Sequence, residues 1–230
     1  MAMVAAKGGP YMAIISLLKR KGGSGSSTLA ANLAGEYAAR GQSVKVLDAD
    51  PQQSLVRWSE DATEGSALRG MVLPAARLET GQFRELLTSA NAENDRVIID
   101  AAPGLEGLAL TAANSADVIL IPVRPSVLDV TQARDALQAA HMVNQSGSIA
   151  FVPSANLPRT KLGKILPEQL AAMQVEVNGE IKSATVLPGI TNRIIIAEAP
   201  LDGSIVRELE PDGPATEEFK ALAEAVEGLL

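Results

Sequence analysis

The residues best suited to chemistry stand together at 22–28, Gly22-Gly23-Ser24-Gly25-Ser26-Ser27-Thr28, with Lys19-Arg20-Lys21 before them and Leu29-Ala30-Ala31-Asn32-Leu33-Ala34 after. A short apolar run at 13–18 reads as a strand, and the segment after Thr28 reads as a helix. Strand, glycine loop and helix start make an anion cradle: glycine lets backbone N–H groups turn inward, and the helix adds its own unpaired amides and positive dipole end. An ordinary glycine-containing βα turn uses the same residue types, and Ser27 and Thr28 also suit simple helix capping. Position 26, just before the hydroxyl pair, is where a phosphate-binding loop carries lysine. Here it is serine. A hydroxyl donates one hydrogen bond but lacks the reach and the charge of an ammonium.

Acidic residues follow at two further strand ends. Asp48-Ala49-Asp50-Pro51-Gln52-Gln53 closes a run at 44–48, and Arg96-Val97-Ile98-Ile99-Asp100 is an apolar run that ends on an acid. Parallel strands deliver such side chains to one rim, where ligands collect in doubly wound sheets. An Asx-Pro turn would account for Asp50-Pro51 alone. The joint occurrence of a glycine loop and two acid-bearing strand ends, in that order, is what favours a site.

The elements that must position these residues alternate as βαβ units. Strands are expected near 13–18, 44–48, 70–73, 96–100, 117–122, 148–153 and 183–187. Helices are expected near 27–40, 79–90, 106–114, 127–145, 161–173 and 214–229. The runs 97–100 and 118–121 are nearly continuously apolar, as in strands covered on both faces. The fold class is therefore α/β, a doubly wound, mostly parallel sheet flanked by helices. With 230 residues, 47% of them hydrophobic, a full core is expected. No repeat or linker divides the chain, so one domain is expected over 12–230, preceded at 1–11 by a disordered leader or a leftover of expression. The absence of cysteine excludes disulfides, cysteine-bound zinc and iron–sulfur clusters, and fits a reducing cytoplasm. No apolar run approaches the ~20 residues that cross a bilayer. His141 lies in an amphipathic stretch without metal-spaced partners and is given no role.

Lys21-Gly22-Gly23-Ser24-Gly25-Ser26-Ser27-Thr28 resembles the deviant Walker A loop of the ParA/MinD family of P-loop ATPases, and Asp48-Ala49-Asp50-Pro51-Gln52-Gln53 resembles its Asp-x-Asp-Pro-Gln segment. The likeness extends to Asp100-Ala101-Ala102-Pro103-Gly104 and to Ile121-Pro122-Val123-Arg124-Pro125, and small ParA partition proteins are nearest in appearance. It implies a P-loop NTPase fold with ATP and Mg²⁺ as cofactors and hydrolysis to ADP and phosphate. By resemblance Lys21 is the signature lysine that reaches a partner copy's nucleotide across a dimer interface. Gly22, Gly23, Ser24, Gly25, Ser26, Ser27, Thr28 and Pro125 would surround the nucleotide. Asp50 would orient the attacking water, and Ser27, Asp48 and Asp100 would serve the metal. Ser26 departs from the pattern, and two explanations compete: a natural degenerate member, or a substituted form of an active protein.

The resemblance also implies partners: a second copy in a nucleotide-dependent homodimer, non-specific DNA, and a ParB-like or cargo-bound adaptor, with a cytoplasmic, nucleoid-associated location. The net charge of −7 argues against a generally basic surface. From Asn156 to Arg193, however, five basic residues meet three acidic ones, and Arg159, Lys161, Lys164 and Arg193 are candidate phosphate contacts. An ordinary solvated surface is the competing reading. The terminal helix is acidic on its polar face, which disfavours membrane attachment. The leading expectation is a Mg-ATP-dependent partition or positioning protein. Its rivals are a nucleotide-binding switch or scaffold with weak or no hydrolysis, and a metabolic P-loop ligase or kinase.

Overall fold

A computed structural model describes residues 12–230, so the leader expected at 1–11 lies outside the described residues. Seven parallel strands form one sheet in the order β3-β2-β4-β1-β5-β6-β9: β1 (Ala13–Leu17), β2 (Val44–Ala49), β3 (Val72–Pro74), β4 (Arg96–Ala101), β5 (Val118–Val123), β6 (Ser148–Pro153) and β9 (Thr185–Val186). The crossovers are helices: α1 (Ser26–Ala39), α2 (Ser54–Glu60), α3 (Thr80–Glu93), α4 (Gly107–Ser115), α5 (Val127–Val143) and α6 (Lys161–Ala171). An antiparallel pair, β7 (Val175–Val177) and β8 (Glu180–Lys182), precedes β9. After β9 come α7 (Ile194–Glu198), a 3₁₀ turn at Ala199–Asp202, α8 (Val206–Leu209) and α9 (Pro214–Glu227).

The expected α/β class and all seven sheet strands are present, with β3 and β9 displaced or shortened by a few residues. The β7–β8 pair and the short helices α2, α7 and α8 were not expected. Their sequences are too short to show a period.

Alternation along each strand sorts the side chains into two layers. Ile15, Leu17, Val46, Ile98, Leu120 and Val152 pack under α1 and α9, against Leu33, Tyr37, Phe219 and Leu222. Ile119, Ile121 and Phe151 face α4, α5 and α6, while Leu47, Val97 and Ile99 meet Phe83 and Leu87 of α3. Ion pairs with one buried and one half-buried partner tie the α1 layer together: Arg207 of α8 forks onto Glu36 of α1 at 2.9 and 2.7 Å, and Arg96 of β4 pairs with Glu227 of α9 at 2.8 Å. Among the described residues no helix is long and apolar enough to cross a membrane.

Candidate functional site

Three strands end level with one another. In register, Leu17 of β1 lies opposite Asp100 of β4, and Asp100 lies opposite Asp48 of β2. Asp48 and Asp100 share the parity of Val46 and Ile98, so both point to the α1 side of the sheet. The alternation Ile15, Leu17, Lys19 carries a lysine to the same side, one step past the end of β1.

These residues converge. Lys19, 4% exposed, donates from Nζ to Ser26 Oγ at 2.6 Å and to Asp100 Oδ1 at 2.8 Å, and lies 3.2 Å from Asp50 Oδ2. Ser27 Oγ donates to Asp100 Oδ2 at 2.5 Å. Asp50 also accepts from the Gln52 amide at 3.0 Å, which fixes its loop. Asp48 sits below, where it accepts from the amides of Asp50, Leu55 and Val56 at 3.1, 3.0 and 3.1 Å. Burial pushes its carboxyl above the usual carboxylate range, against the opposing pull of those amides. Asp48 thus holds Asp50 and the start of α2 in place.

The loop over this cluster needs its glycines. Gly25 stands at φ 90° as the N-cap of α1, and a Cβ there would come within 2.5 Å of Ser154 Oγ, so both conformation and space require glycine. At Gly22 and Gly23 an added Cβ would meet nothing within 4 Å, so the loop's outer side is open. Ser24 Oγ is buried without a partner among the described residues. Arg124 steadies the loop by donating to the Gly23 carbonyl at 3.3 Å. Lys21, 40% exposed, reaches Asp129 of α5 at 3.2 Å. An open cleft of about 140 Å³ begins at Gly25 and Thr28 and continues along Ser154, Ala155 and Asn192.

This donor set fits a phosphate chain with a hard cation. The loop backbone is open, the Ser24 hydroxyl is unpaired, and Ser27 and Asp100 present hydroxyl and carboxylate oxygens side by side. Among the described residues no group of three or more His, Asp or Glu side chains gathers to hold a metal alone. A divalent ion at Ser27 would therefore draw part of its oxygen shell from the phosphates and water, as Mg²⁺ does at such sites.

Of the sequence candidates, Lys21, Gly22 to Thr28, Asp48, Asp50 and Asp100 are brought to one rim. Pro125 instead lines a separate groove between α5 and α6 with Val127, Val130, Leu162 and Leu166. Arg193 forms an ion pair with Glu218 at 2.8 Å and borders the cleft beside Asn192. Arg159 shares a neighbouring groove with Arg193, while Lys161 and Lys164 are exposed on α6. Sequence reasoning missed Lys19, Asp129, Arg124 and the turn at Ser154-Ala155. For Lys19 a signal existed, since it extends the buried parity of β1. Ala155 has φ 47°, unusual for a residue with a Cβ, and nothing in the local sequence announces it.

The VirC1 protein family model matches residues 12–163. The chromosome-partitioning ATPase Soj of Thermus thermophilus is 28% identical over 246 residues, spanning 92% of this chain and 94% of that protein. Maintenance of carboxysome distribution protein A of Gloeobacter kilaueensis is 31% identical over 161 residues, 70% of this chain and 67% of that one. Among solved structures, the septum site-determining protein MinD of Pyrococcus horikoshii, complexed with Mg-ADP, superposes with a TM-score of 0.72 at 20% identity, over 93% of this chain and 95% of that one. At that identity the likeness is one of fold. The glycine loop, the level acids and the seven-stranded parallel sheet agree with these matches: the chain belongs to the VirC1 family, among the P-loop ATPases of the ParA/MinD type.

Proposed function

We propose that this chain is a Mg-ATP-dependent positioning protein of the ParA kind, acting in plasmid or chromosome segregation. The observation that carries the reading is the Ser27–Asp100 pair at the mouth of the glycine loop, with Asp50 beside it. The nucleotide supplies the bond that is cleaved, ATP and water giving ADP and phosphate. Gly22 to Thr28 would cradle its phosphates, Ser27 and Asp100, with Asp48 behind them, would serve Mg²⁺, which would neutralise charge on the phosphates, and Asp50 would orient the attacking water. Asp48 keeps Asp50 in place through its bond to the Asp50 amide.

Lys21 couples the site to a second copy of the chain. Its present partner is Asp129, in a pair that is partly solvated on the lysine side. The lysine end is partly solvated while Asp129 is buried, so a move of Lys21 to a partner copy's nucleotide would leave the Asp129 carboxylate to be met by water or another donor. Arg159, Lys161 and Lys164 have no ion-pair partner among the described residues and are free to meet DNA phosphates without reading sequence. The Soj relative, a chromosome-partitioning ATPase by name, supports this assignment, as does the carboxysome-distribution relative for positioning in general. A nucleoid-associated location and an adaptor that stimulates turnover complete the proposal.

Ser26 favours a second reading, a nucleotide-dependent switch that binds without turning over. Titration calorimetry with Mg-ATP and Mg-ADP, then phosphate release with and without DNA, separates the two. Binding with DNA-stimulated release supports the ATPase. Binding without release supports the switch. Failure to bind either nucleotide at millimolar concentration overturns both.

A further inference from the structure

The buried ammonium of Lys19 stands where the loop's own lysine is missing. A lysine at position 26 would send its side chain from the first residue of α1 toward the phosphates; here Ser26 is too short, and its Oγ accepts instead from Lys19 Nζ at 2.6 Å. The amine therefore comes from the end of β1 rather than from α1, and arrives at the same loop from beneath. We infer that Lys19 supplies the phosphate-facing positive charge of this site, with Ser26 as the small residue that makes room for it and relays its polarisation. The inference rests on the nucleotide reading given above.

Three observations carry it. First, Lys19 is buried beside the glycine loop, in contact with Ser26, Asp100 and Asp50. A long cationic side chain is placed under such a loop at a desolvation cost that an ordinary surface lysine avoids. Second, one ammonium faces two carboxylates, so the cluster is left with a net negative charge. It is not a closed ion pair, and it still calls for a further cation beside Ser27, as an arrangement awaiting a metal and an anion would. Third, Ser26 Oγ accepts from the ammonium, which leaves its own proton free for an acceptor inside the loop, where Ser24 Oγ also lacks a partner. A phosphate oxygen entering the loop would meet the Ser26 hydroxyl, polarised by Lys19, and would reach Lys19 itself only in exchange for Asp50, the longest of the ammonium's three contacts at 3.2 Å. Charge-assisted bonds of this kind are about twice as strong as neutral ones.

The arrangement makes a counterintuitive prediction. Restoring lysine at position 26 while Lys19 remains would put two ammonium groups within contact of each other, so Ser26→Lys alone is expected to weaken binding. Exchanging both, Lys19→Ser with Ser26→Lys, keeps the charge count and returns the amine to the loop.

The test is a titration of a fluorescent ATP analogue with Mg²⁺ against four proteins: the unaltered chain, Lys19→Met, Ser26→Lys and the Lys19→Ser/Ser26→Lys double variant. Circular dichroism and thermal melting establish that each is folded. Loss of one charged hydrogen bond predicts about 10- to 100-fold weaker binding for Lys19→Met. Ser26→Lys should weaken it too, and the double variant should recover to within a few-fold of the unaltered chain. Should Lys19→Met fail to fold, the comparison of Ser26→Lys with the double variant decides alone, because the inference requires the double to bind more tightly. Lys19→Met binding as well as the unaltered chain, or Ser26→Lys binding more tightly than the double variant, overturns the role of Lys19 and leaves the nucleotide reading standing. If none of the four binds, the nucleotide reading falls and the inference with it.

Discussion

A buried cation lies against each end of strand β4, and the two are held differently. At its start Arg96, 2% exposed, forks onto Glu227 through Nε and Nη2 at 3.1 and 2.8 Å, donates to the Asp95 carbonyl at 2.7 Å, and lies 5.7 Å from the centre of the Tyr37 ring. The guanidinium meets the Glu227 carboxylate, and an aromatic face lies beside it. At the other end Lys19 meets two carboxylates and a hydroxyl beneath an open glycine loop. The first arrangement is saturated and joins α9 to the sheet. The second is unbalanced in charge and open on one side. Burial of an ion therefore says little about function by itself; the state of its partners and its access to solvent separate a fastening from a site.

The largest effect should come from the closed end. Arg96→Met leaves Glu227, one-third exposed, to water and removes the ring contact, and is expected to cost about 2 kcal/mol of stability in urea denaturation. Nucleotide affinity of the folded fraction should not change. A loss of affinity with no loss of stability would reverse the contrast between the two ends. Asp100→Asn at the open end should act the other way, with a smaller change in stability and about 10- to 100-fold weaker Mg²⁺-dependent nucleotide binding. Titrations with Mg²⁺ and with EDTA read that difference, and equal affinities in both would remove Asp100 from the metal's surroundings.

The exposed cations of α6 make a third kind of charge, neither fastened nor gathered. Replacing Lys161 and Lys164 with Gln should weaken binding to non-specific duplex DNA only at low salt, and should reduce the slope of log affinity against log salt by about 2. An unchanged slope would place the DNA face elsewhere. Stability should stay within about 0.5 kcal/mol of the unaltered protein, as for other exposed substitutions.

Much of this contrast was legible in the order of residues. The glycine loop, Asp50 and Asp100 stood out because each lies at the end of an apolar strand, and a parallel sheet brings such ends to one rim. The strands themselves were readable because β5 and the middle of β4, residues 97–99, are continuously apolar. What escaped was whatever depends on distant partners. Lys19 sits among Arg20 and Lys21, and only the inward parity of β1 distinguishes it from those neighbours. Asp129 pairs with Lys21 across 108 positions. Arg193 pairs with Glu218 of α9, 25 positions on, a contact that nothing in its own neighbourhood announces. Pro125 followed from resemblance alone, and it also lines the groove between α5 and α6. The β7–β8 pair is three residues to a strand, below the length at which alternation speaks.

The outermost strands of the sheet are its shortest. β3 has three residues and ends on Pro74, which has no N–H to offer, and β9 has two. A neighbour seeking to extend the ladder finds almost no backbone to pair with on either flank. The molecule is thus protected from open-ended stacking into filaments through its sheet, and any meeting of two copies is left to side-chain surfaces, where a contact is readily made and unmade.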